Sequence, residues 1–169
     1  MSLDLDLLLV IDVGNSGAKL GVVRGDDVAG PVRLPRCDGP AVREFAKPLV
    51  RDTKPVVVVC GSDSNKAKDL AWELAKVGFP GAVVVDHDHL GLPKAKATQP
   101  TQAGVDRRVQ ALAASHLAMG PAVIISAGTA LTVDAAGADG GLLGGTIGAG
   151  LSLAARALTV GAEKLPLVD

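Results

Sequence analysis

Two stretches of this sequence share a pattern in which one apolar run turns through glycine directly into a second apolar run. The first is VIDVGNSGAKLGVV at residues 10–23, and the second is IISAGTALTVD at residues 124–134. In a P-loop or a dinucleotide-binding fingerprint, the glycines lead from a strand into a helix. Both turns here lead from strand to strand, which disfavours those two folds and predicts two β-hairpins.

The predicted elements around these hairpins repeat in order. Apolar runs and turn residues predict a first series β-β-β-α-β-α-β, at residues 7–13, 17–23, 28–34, 41–50, 55–60, 66–77 and 82–85. A proline-containing connection at 86–102 and a helix at 103–117 precede a shorter series β-β-β-α, at 122–126, 130–135, 140–147 and 151–158. The sequence therefore predicts an α/β fold with two related halves, residues 1–102 and 103–169, and a nucleotide cleft between them.

The composition limits the classes of protein to which the chain can belong. Hydrophobic residues make up 48% of the sequence and charged residues 21%, which favours a packed globular protein. The formal net charge of −1 gives no broad attraction to nucleic acid or to an anionic membrane, and no stretch approaches the length of a membrane span. Cys37 and Cys60 lack metal-site spacing, so we expect reduced thiols and a cytoplasmic protein.

The first glycine turn, at residues 14–17, has two interpretations. It can be an ordinary hairpin turn, because Gly, Asn and Ser are turn-forming residues. It can also bind phosphate, because the backbone N–H groups of such a turn can converge on phosphate oxygens, with Ser16 adding a hydroxyl and Lys19 a charge. Asp12 at the end of the preceding strand could then hold Mg²⁺, directly or through water.

The stretch AGVDRRVQALAA, residues 103–114, carries an acid and two arginines at a predicted helix start. Asp106 can simply cap the helix or interact favourably with its dipole. It can also accept a proton from a substrate hydroxyl, while Arg107 holds a carboxylate through a two-pronged contact. Arg108 is interpreted as a solvated charge on the helix.

The second hairpin offers a further phosphate contact. Gly128 and Thr129 form its turn and could bind the distal phosphates of a nucleotide. Asp134, at the end of the following strand, could lie behind a metal ligand, although a carboxylate there is more often simply exposed. The segment GGLLGGTIGAG, residues 140–150, fits tight turns and close helix packing as well as it fits a nucleotide site.

Taken together and in this order, the motifs resemble those of the type III pantothenate kinase family. IDVGNSGAKLG resembles the DxGNT phosphate motif of that family, and PTQAGVDR at residues 100–107 resembles its PxxxGxDR segment. AGTALTVD and GGTIGAG are similar to its GTAxTxD and GGxIxPG segments, and ALTVGAEKLP at residues 157–166 is similar to the stretch that follows. The similarity covers residue 7 to about residue 166.

The resemblance implies a fold of the actin and sugar-kinase superfamily, with two ribonuclease-H-like halves, and a homodimer. It implies transfer of the γ-phosphoryl group of ATP to the primary hydroxyl of pantothenate, the first step towards coenzyme A. Asp106 would be the general base, and Gly104, Val105, Asp106 and Arg107 would contact pantothenate. Mg²⁺ would be held at Asp12, and the ATP phosphates would be bound by Asp12, Val13, Gly14, Asn15, Ser16, Gly17, Ala18, Lys19, Gly128 and Thr129.

Several positions depart from the family's pattern. Ser126 stands where the family has an Asp that binds a monovalent cation, which puts a requirement for K⁺ or NH₄⁺ in doubt. Ala149 replaces the proline of GGxIxPG, and Ala97 stands where many members have a Tyr that contacts pantothenate. Family members also continue well beyond the LP pair at residues 165–166. We therefore expect the second sheet to expose an edge and an apolar face. Three explanations compete: a short paralogue, a truncated product, or a dimer that covers the open side.

Three functions are compatible with these features. The leading hypothesis is an ATP-dependent pantothenate kinase. The main alternative is a degenerate, non-catalytic relative that keeps nucleotide binding and has a binding or regulatory role. The third is another ATPase or phosphohydrolase of the superfamily, against which the GVDR segment argues.

Overall fold

The computed structural model describes residues 7–50, 54–89, 91–97, 103–162 and 166. They form a mixed α/β fold with two sheets, which confirms the predicted fold class and is consistent with the actin and sugar-kinase superfamily. The chain divides into two compact units: the first is Met1–Leu90 with Gly104–Asp106, and the second is Gly91–Ala103 with Arg107–Asp169. The division into domains at residues 102 and 103 stays a prediction.

The first unit contains the predicted seven elements in the predicted order. These are β1 (Leu7–Gly14), β2 (Gly17–Arg24), β3 (Asp27–Leu34), α1 (Gly39–Val50), β4 (Val56–Gly61), α2 (Ser64–Lys76) and β5 (Val83–Val84). The strands lie in the order β3-β2-β1-β4-β5, with β1 antiparallel to β2 and parallel to β4. Because β1 and β4 are parallel, their carboxyl ends meet at one edge of the sheet, which brings the turn after β1 close to the start of α2.

The core of the first unit follows from the alternation of apolar residues along β1. Leu9 and Ile11 are fully buried, and they belong to one cluster with Val59 of β4 and with Leu70 and Leu74 of α2. The sequence of β4, VVVVCG, is buried along almost its whole length. A continuous run of valines is typical of a strand that is buried in this way.

The second unit contains the shorter series of elements. They are α3 (Val105–Ala118), whose first two residues lie in the first unit, then β6 (Ala122–Ala127), β7 (Ala130–Ala136), β8 (Leu142–Ala149) and α4 (Leu151–Gly161). The three strands are antiparallel in the order β6-β7-β8. A small cluster on one side of this sheet joins Ala111 of α3 to Ala136 and Leu142.

The opposite face of the second sheet is apolar and exposed. The side chains of Val123 and Ile125 are 72% and 70% exposed, and Leu131 and Val133 of β7 lie on the same face. No described side chain of α4 is buried. Among the described residues β6 pairs with β7 alone, so its other edge is open. The expected exposed edge and apolar face are therefore confirmed for the described part of the chain.

The structure corrects some predicted boundaries. Helix α1 begins at Gly39 rather than at residue 41, because the first turn of a helix tolerates Pro40 and the Asp38 carboxylate accepts a hydrogen bond from the Ala41 N–H at 2.9 Å. Strand β5 is limited to Val83–Val84. Residues 100–102 of PTQAGVDR and residues 163–165 of ALTVGAEKLP lie outside the described residues. Within the described ranges, no helix is long and apolar enough to cross a membrane.

Candidate functional site

The turn after β1 is a two-residue hairpin loop, Asn15 and Ser16, closed by the paired residues Gly14 and Gly17. Gly17 has a φ of 121°, and a Cβ at this position would collide with the Leu34 carbonyl oxygen of β3. The glycine is therefore required by the packing of the hairpin itself. The flanking candidates Val13 and Ala18 are cross-strand partners with buried side chains, so only their backbone groups can face a ligand.

Asp12 lies beside the turn, between two neighbouring strands. Its register partners are Lys19 on β2 and Cys60 on β4, and its Oδ2 is 3.8 Å from the Lys19 Nζ. Burial raises the pKa of Asp12 above its ordinary value; the Lys19 ammonium opposes this shift, and the negative charge of Asp106 adds to it. Burial, with the charges of Asp12 and Asp106, also raises the pKa of the Cys60 thiol to about 12, which keeps that thiol protonated.

Asp106 belongs to the same unit as Asp12 and lies in the first turn of α3. Its Oδ1 is buried and has no hydrogen-bond partner among the described residues. Gly104 makes room for this carboxylate, because a Cβ on residue 104 would collide with Oδ1. The side chain of Val105, which lies between Gly104 and Asp106 in the sequence, is fully buried in the core. A buried carboxylate oxygen without a partner is a group that can accept a hydrogen bond from a ligand hydroxyl.

Arg107, in the second unit, makes a two-pronged contact with Asp134 of β7. The Arg107 Nε donates to both carboxylate oxygens of Asp134 at 3.1 Å, and its Nη2 also donates to Oδ1. The side chains of Arg107 and Asp134 are only 18% and 1% exposed. The expectation that Asp134 is exposed is wrong, because the guanidinium of Arg107 compensates the buried charge.

Arg108 is buried rather than solvated, which corrects the interpretation from the sequence. Its side chain donates hydrogen bonds to the carbonyl oxygens of Leu92 and Pro93 at 3.0 to 3.2 Å. These carbonyls belong to the segment between β5 and α3. Arg108 therefore ties that segment to the helix within the second unit.

The second glycine turn connects β6 to β7. The Gly128 N–H donates to the Ala130 carbonyl at 3.0 Å, and the Thr129 carbonyl accepts from the Gly150 N–H at 2.9 Å. Gly150 ends the GGTIGAG segment, so this segment holds the turn in place. Ser126, the position where the resemblance implies a cation site, lies opposite Thr132, whose buried hydroxyl has no hydrogen-bond partner among the described residues.

Lys66 contacts the first glycine turn, at residues 14–17, although the sequence motifs did not indicate this residue. Its Nζ donates to the Oδ1 of Asn15 at 2.8 Å, across 51 positions in the chain. Both residues line a surface cavity of about 340 Å³ together with Gly14, Gly17 and Asp69. The signal that could have found Lys66 is its place in the first turn of the helix that follows a strand parallel to β1.

Comparison with known proteins identifies the family of this chain. The family model for type III pantothenate kinase matches residues 8–169. The chain belongs to the type III pantothenate kinase family. A relative of that name from Parafrankia sp. (strain EAN1pec) is 33% identical over 96% of the chain, and one from Frankia alni is 31% identical over the same share. A third, from Moorella thermoacetica, is 32% identical.

The chain spans about two thirds of the length of these type III pantothenate kinases. It covers 66% of the Parafrankia protein, 67% of the Frankia protein and 68% of the Moorella protein. The family match nevertheless includes the first turn, the GVDR segment and the second turn, which lie within residues 8–169.

The residues present fit a magnesium ion of the kind that kinases use. No group of three or more His, Cys, Asp or Glu side chains that could hold a metal occurs in the described part of the chain. Magnesium in phosphoryl-transfer sites is commonly bound by only one or two carboxylates, with waters and substrate phosphates as its other ligands. Asp12 and Asp106 are two carboxylates of one unit that interact electrostatically, and one of them has an oxygen without a partner.

Proposed function

We propose that this chain catalyses transfer of the γ-phosphoryl group of ATP to the primary hydroxyl of pantothenate, as an ATP-dependent kinase. The observation that carries the proposal is the buried Asp106 Oδ1, which has no hydrogen-bond partner among the described residues and lies within the electrostatic reach of Asp12. Membership of the type III pantothenate kinase family supplies the substrate.

In the proposed reaction Asp106 accepts the proton of the pantothenate hydroxyl as the hydroxyl oxygen forms its bond to the γ-phosphorus. The bond between that phosphorus and the bridging oxygen breaks, and ADP leaves with the bond's electron pair. Phosphoryl transfer depends mainly on positioning and on stabilising charge, with little covalent work by the protein. The backbone N–H groups of the first turn, with Ser16, Lys19 and the second turn at Gly128 and Thr129, bind the phosphates.

Arg107 is proposed to bind the carboxylate of pantothenate, with Gly104 and Val105 contributing backbone groups. The ion pair with Asp134 holds the guanidinium in one orientation before the substrate arrives, but it also occupies Nε and Nη2, the donors of the two-pronged contact that the sequence suggested for the substrate. Bound Mg²⁺ would be held by Asp12, with Asp106 nearby, and would neutralise charge on the phosphate oxygens. Turnover is proposed to need no K⁺ or NH₄⁺ site at Ser126, because this residue supplies a hydroxyl in place of a carboxylate.

We further propose a cytoplasmic homodimer. Both cysteines are free thiols, as expected in a reducing compartment. The apolar face of the second sheet, Val123, Ile125, Leu131 and Val133, is a surface that a second copy could cover.

ADP release from Mg-ATP, measured with and without pantothenate, tests the reaction. The wild type should release ADP only when pantothenate is present, and Asp106→Asn should reduce kcat by about 10² to 10⁴-fold, because general-base catalysis contributes that much. Asp26→Asn, at an exposed position between β2 and β3, is the control and should keep the wild-type rate. Adding K⁺ or NH₄⁺ should change neither the wild-type rate nor the rate of the Asp26→Asn control.

Other outcomes would favour the alternatives. Nucleotide binding without turnover, with or without K⁺ or NH₄⁺, would contradict the kinase and favour a non-catalytic relative. Turnover that does not require pantothenate would favour an ATPase or phosphohydrolase. No observation on the described residues favours either alternative at present.

A further inference from the structure

We infer that Lys66 is a positioning residue of the nucleotide site, which holds the phosphate-binding turn through Asn15 and adds a positive charge beside the polyphosphate. This inference rests on the proposed function, since it assigns a residue to the same ATP site. Lys66 lies outside the motifs on which the resemblance to the family rests, although it lies within the matched residues 8–169.

The first argument is the contact itself. Asn15 is one of the two residues at the tip of the β1–β2 hairpin, and its Oδ1 accepts a hydrogen bond from the Lys66 Nζ at 2.8 Å. A hydrogen bond from a charged donor is stronger than a neutral one. The contact therefore restrains the tip of a loop whose residues Gly14, Asn15 and Ser16 are exposed.

The second argument is the position of Lys66 in the fold. Lys66 is the third residue of α2, whose start follows β4, and β4 is the parallel neighbour of β1. The start of α2 and the phosphate turn therefore lie at the same edge of the sheet, where open α/β sheets bind their ligands. Lys66 and Asn15 line the same surface cavity, together with both turn glycines.

The third argument is energetic. The amino-terminal end of a helix carries partial positive charge, so a lysine in the first turn is unfavourable for the helix. Helix α2 has no acidic residue within its first turn to offset this charge; only the capping residue Asp63 precedes it. Asp63 at the N-cap and Asp69, which lines the same cavity three residues after Lys66, offset part of this charge, and a nucleotide polyphosphate would bring several further negative charges to the turn.

The test compares two lysines of one helix. Lys66→Met and Lys68→Met remove the same charge from α2, but Lys68 faces Asp86, with 3.6 Å between the Lys68 Nζ and the Asp86 Oδ2. We expect Lys66→Met to raise the Kd for Mg-ADP, measured by calorimetry, by about tenfold, the value of one hydrogen bond from a charged group. Lys68→Met should change it less than twofold. Lys66→Arg, which keeps the charge, should remain within about threefold of the wild type.

A kinetic measurement separates positioning from a general loss of structure. Lys66→Met should raise the KM for ATP and leave the KM for pantothenate unchanged, because the contact belongs to the phosphate turn. Equal Kd values for the two Met variants would overturn the inference, and so would a Lys66→Arg variant as weak as Lys66→Met. A wild type that binds no nucleotide would overturn the proposed function and this inference together. A wild type that binds Mg-ADP through Lys66 but turns over without pantothenate would overturn the proposed substrate alone.

Discussion

Carboxylates of similar sequence context have very different surroundings in this chain. Asp134 lies near the end of an apolar strand, β7, much as Asp12 does on β1, but it is almost fully buried and paired with Arg107. Asp12 is only partly buried, and its pKa is raised because burial and the charge of Asp106 outweigh the attraction of Lys19. The Asp134 carboxylate therefore holds an arginine, whereas the Asp12 carboxylate is the one proposed to bind Mg²⁺.

Removal of the Asp134 carboxylate should destabilise the second unit. In Asp134→Ala the guanidinium of Arg107, which is 18% exposed, loses its counter-charge. Breaking a buried ion pair from one side costs about 3 kcal/mol of unfolding free energy, which urea unfolding followed by circular dichroism can measure. Lys96→Ala is the control: it breaks the pair between Lys96 and Asp139, whose side chains are both 55% exposed, keeps the bond from the Gly141 N–H to Asp139, and should have little effect. Equal losses in the two variants would contradict this account.

At the scale of elements, α2 links the fold of the first unit to its candidate site. Its buried residues Ala67, Leu70 and Leu74 pack into the core under β1 and β4, and its first turn carries Lys66 towards the glycine turn. The position of that first turn depends on where the helix begins. Asp63 determines this, because its carboxylate accepts hydrogen bonds from the N–H groups of Asn65 and Lys66.

Loss of this cap should weaken the helix. Asp63→Ala should lower the free energy of unfolding by about 1 kcal/mol, the typical value of an N-cap side chain. Trp72, the single tryptophan of the chain, lies on α2 and reports the unfolding of the helix by its fluorescence. Ser62→Ala should leave the midpoint unchanged, because Asp63 makes the capping bonds. A larger loss in Ser62→Ala than in Asp63→Ala would show that the cap is misassigned.

At the scale of the whole molecule, the two units differ in how their sheets are covered. In the first unit, helices α1 and α2 supply buried residues to the same cluster as β1 and β2. In the second unit, α3 joins the cluster on one face, and the side chains on the other face are exposed. Contiguous exposed apolar side chains of this kind mark surfaces that bind other protein chains.

The proposed homodimer predicts a specific response to charge on this face. The wild type should have a mass in solution twice the 17.0 kDa of one chain, measured by light scattering after size exclusion. Val123→Glu should reduce it to the mass of a single chain, because a carboxylate would be buried without a partner in the interface. Val28→Glu is the matched control: Val28 is also 72% exposed but lies on β3, and this variant should stay dimeric. A monomeric wild type would contradict the proposal.

The sequence by itself determined the elements and their order. The two hairpins, the repeated β-β-β-α series and the strand β4 were all predicted, because apolar periodicity and turn chemistry act between residues close in the chain. The motifs also identified the family. The signals for Asp12, the first glycine turn and Asp106 are local, and the structure brings Asp12 and Asp106 within electrostatic reach of each other in one unit.

Only the tertiary structure decided which polar side chains are buried and what they contact. The pairing of Arg107 with Asp134 crosses 27 positions, the anchoring of Arg108 crosses 15 or 16, and the bond from Lys66 to Asn15 crosses 51. The partners in these contacts are far apart in the sequence, so apolar periodicity and turn chemistry do not identify them. They depend on which strands become neighbours and which helix ends meet a given sheet edge, and those arrangements exist only once the chain has packed.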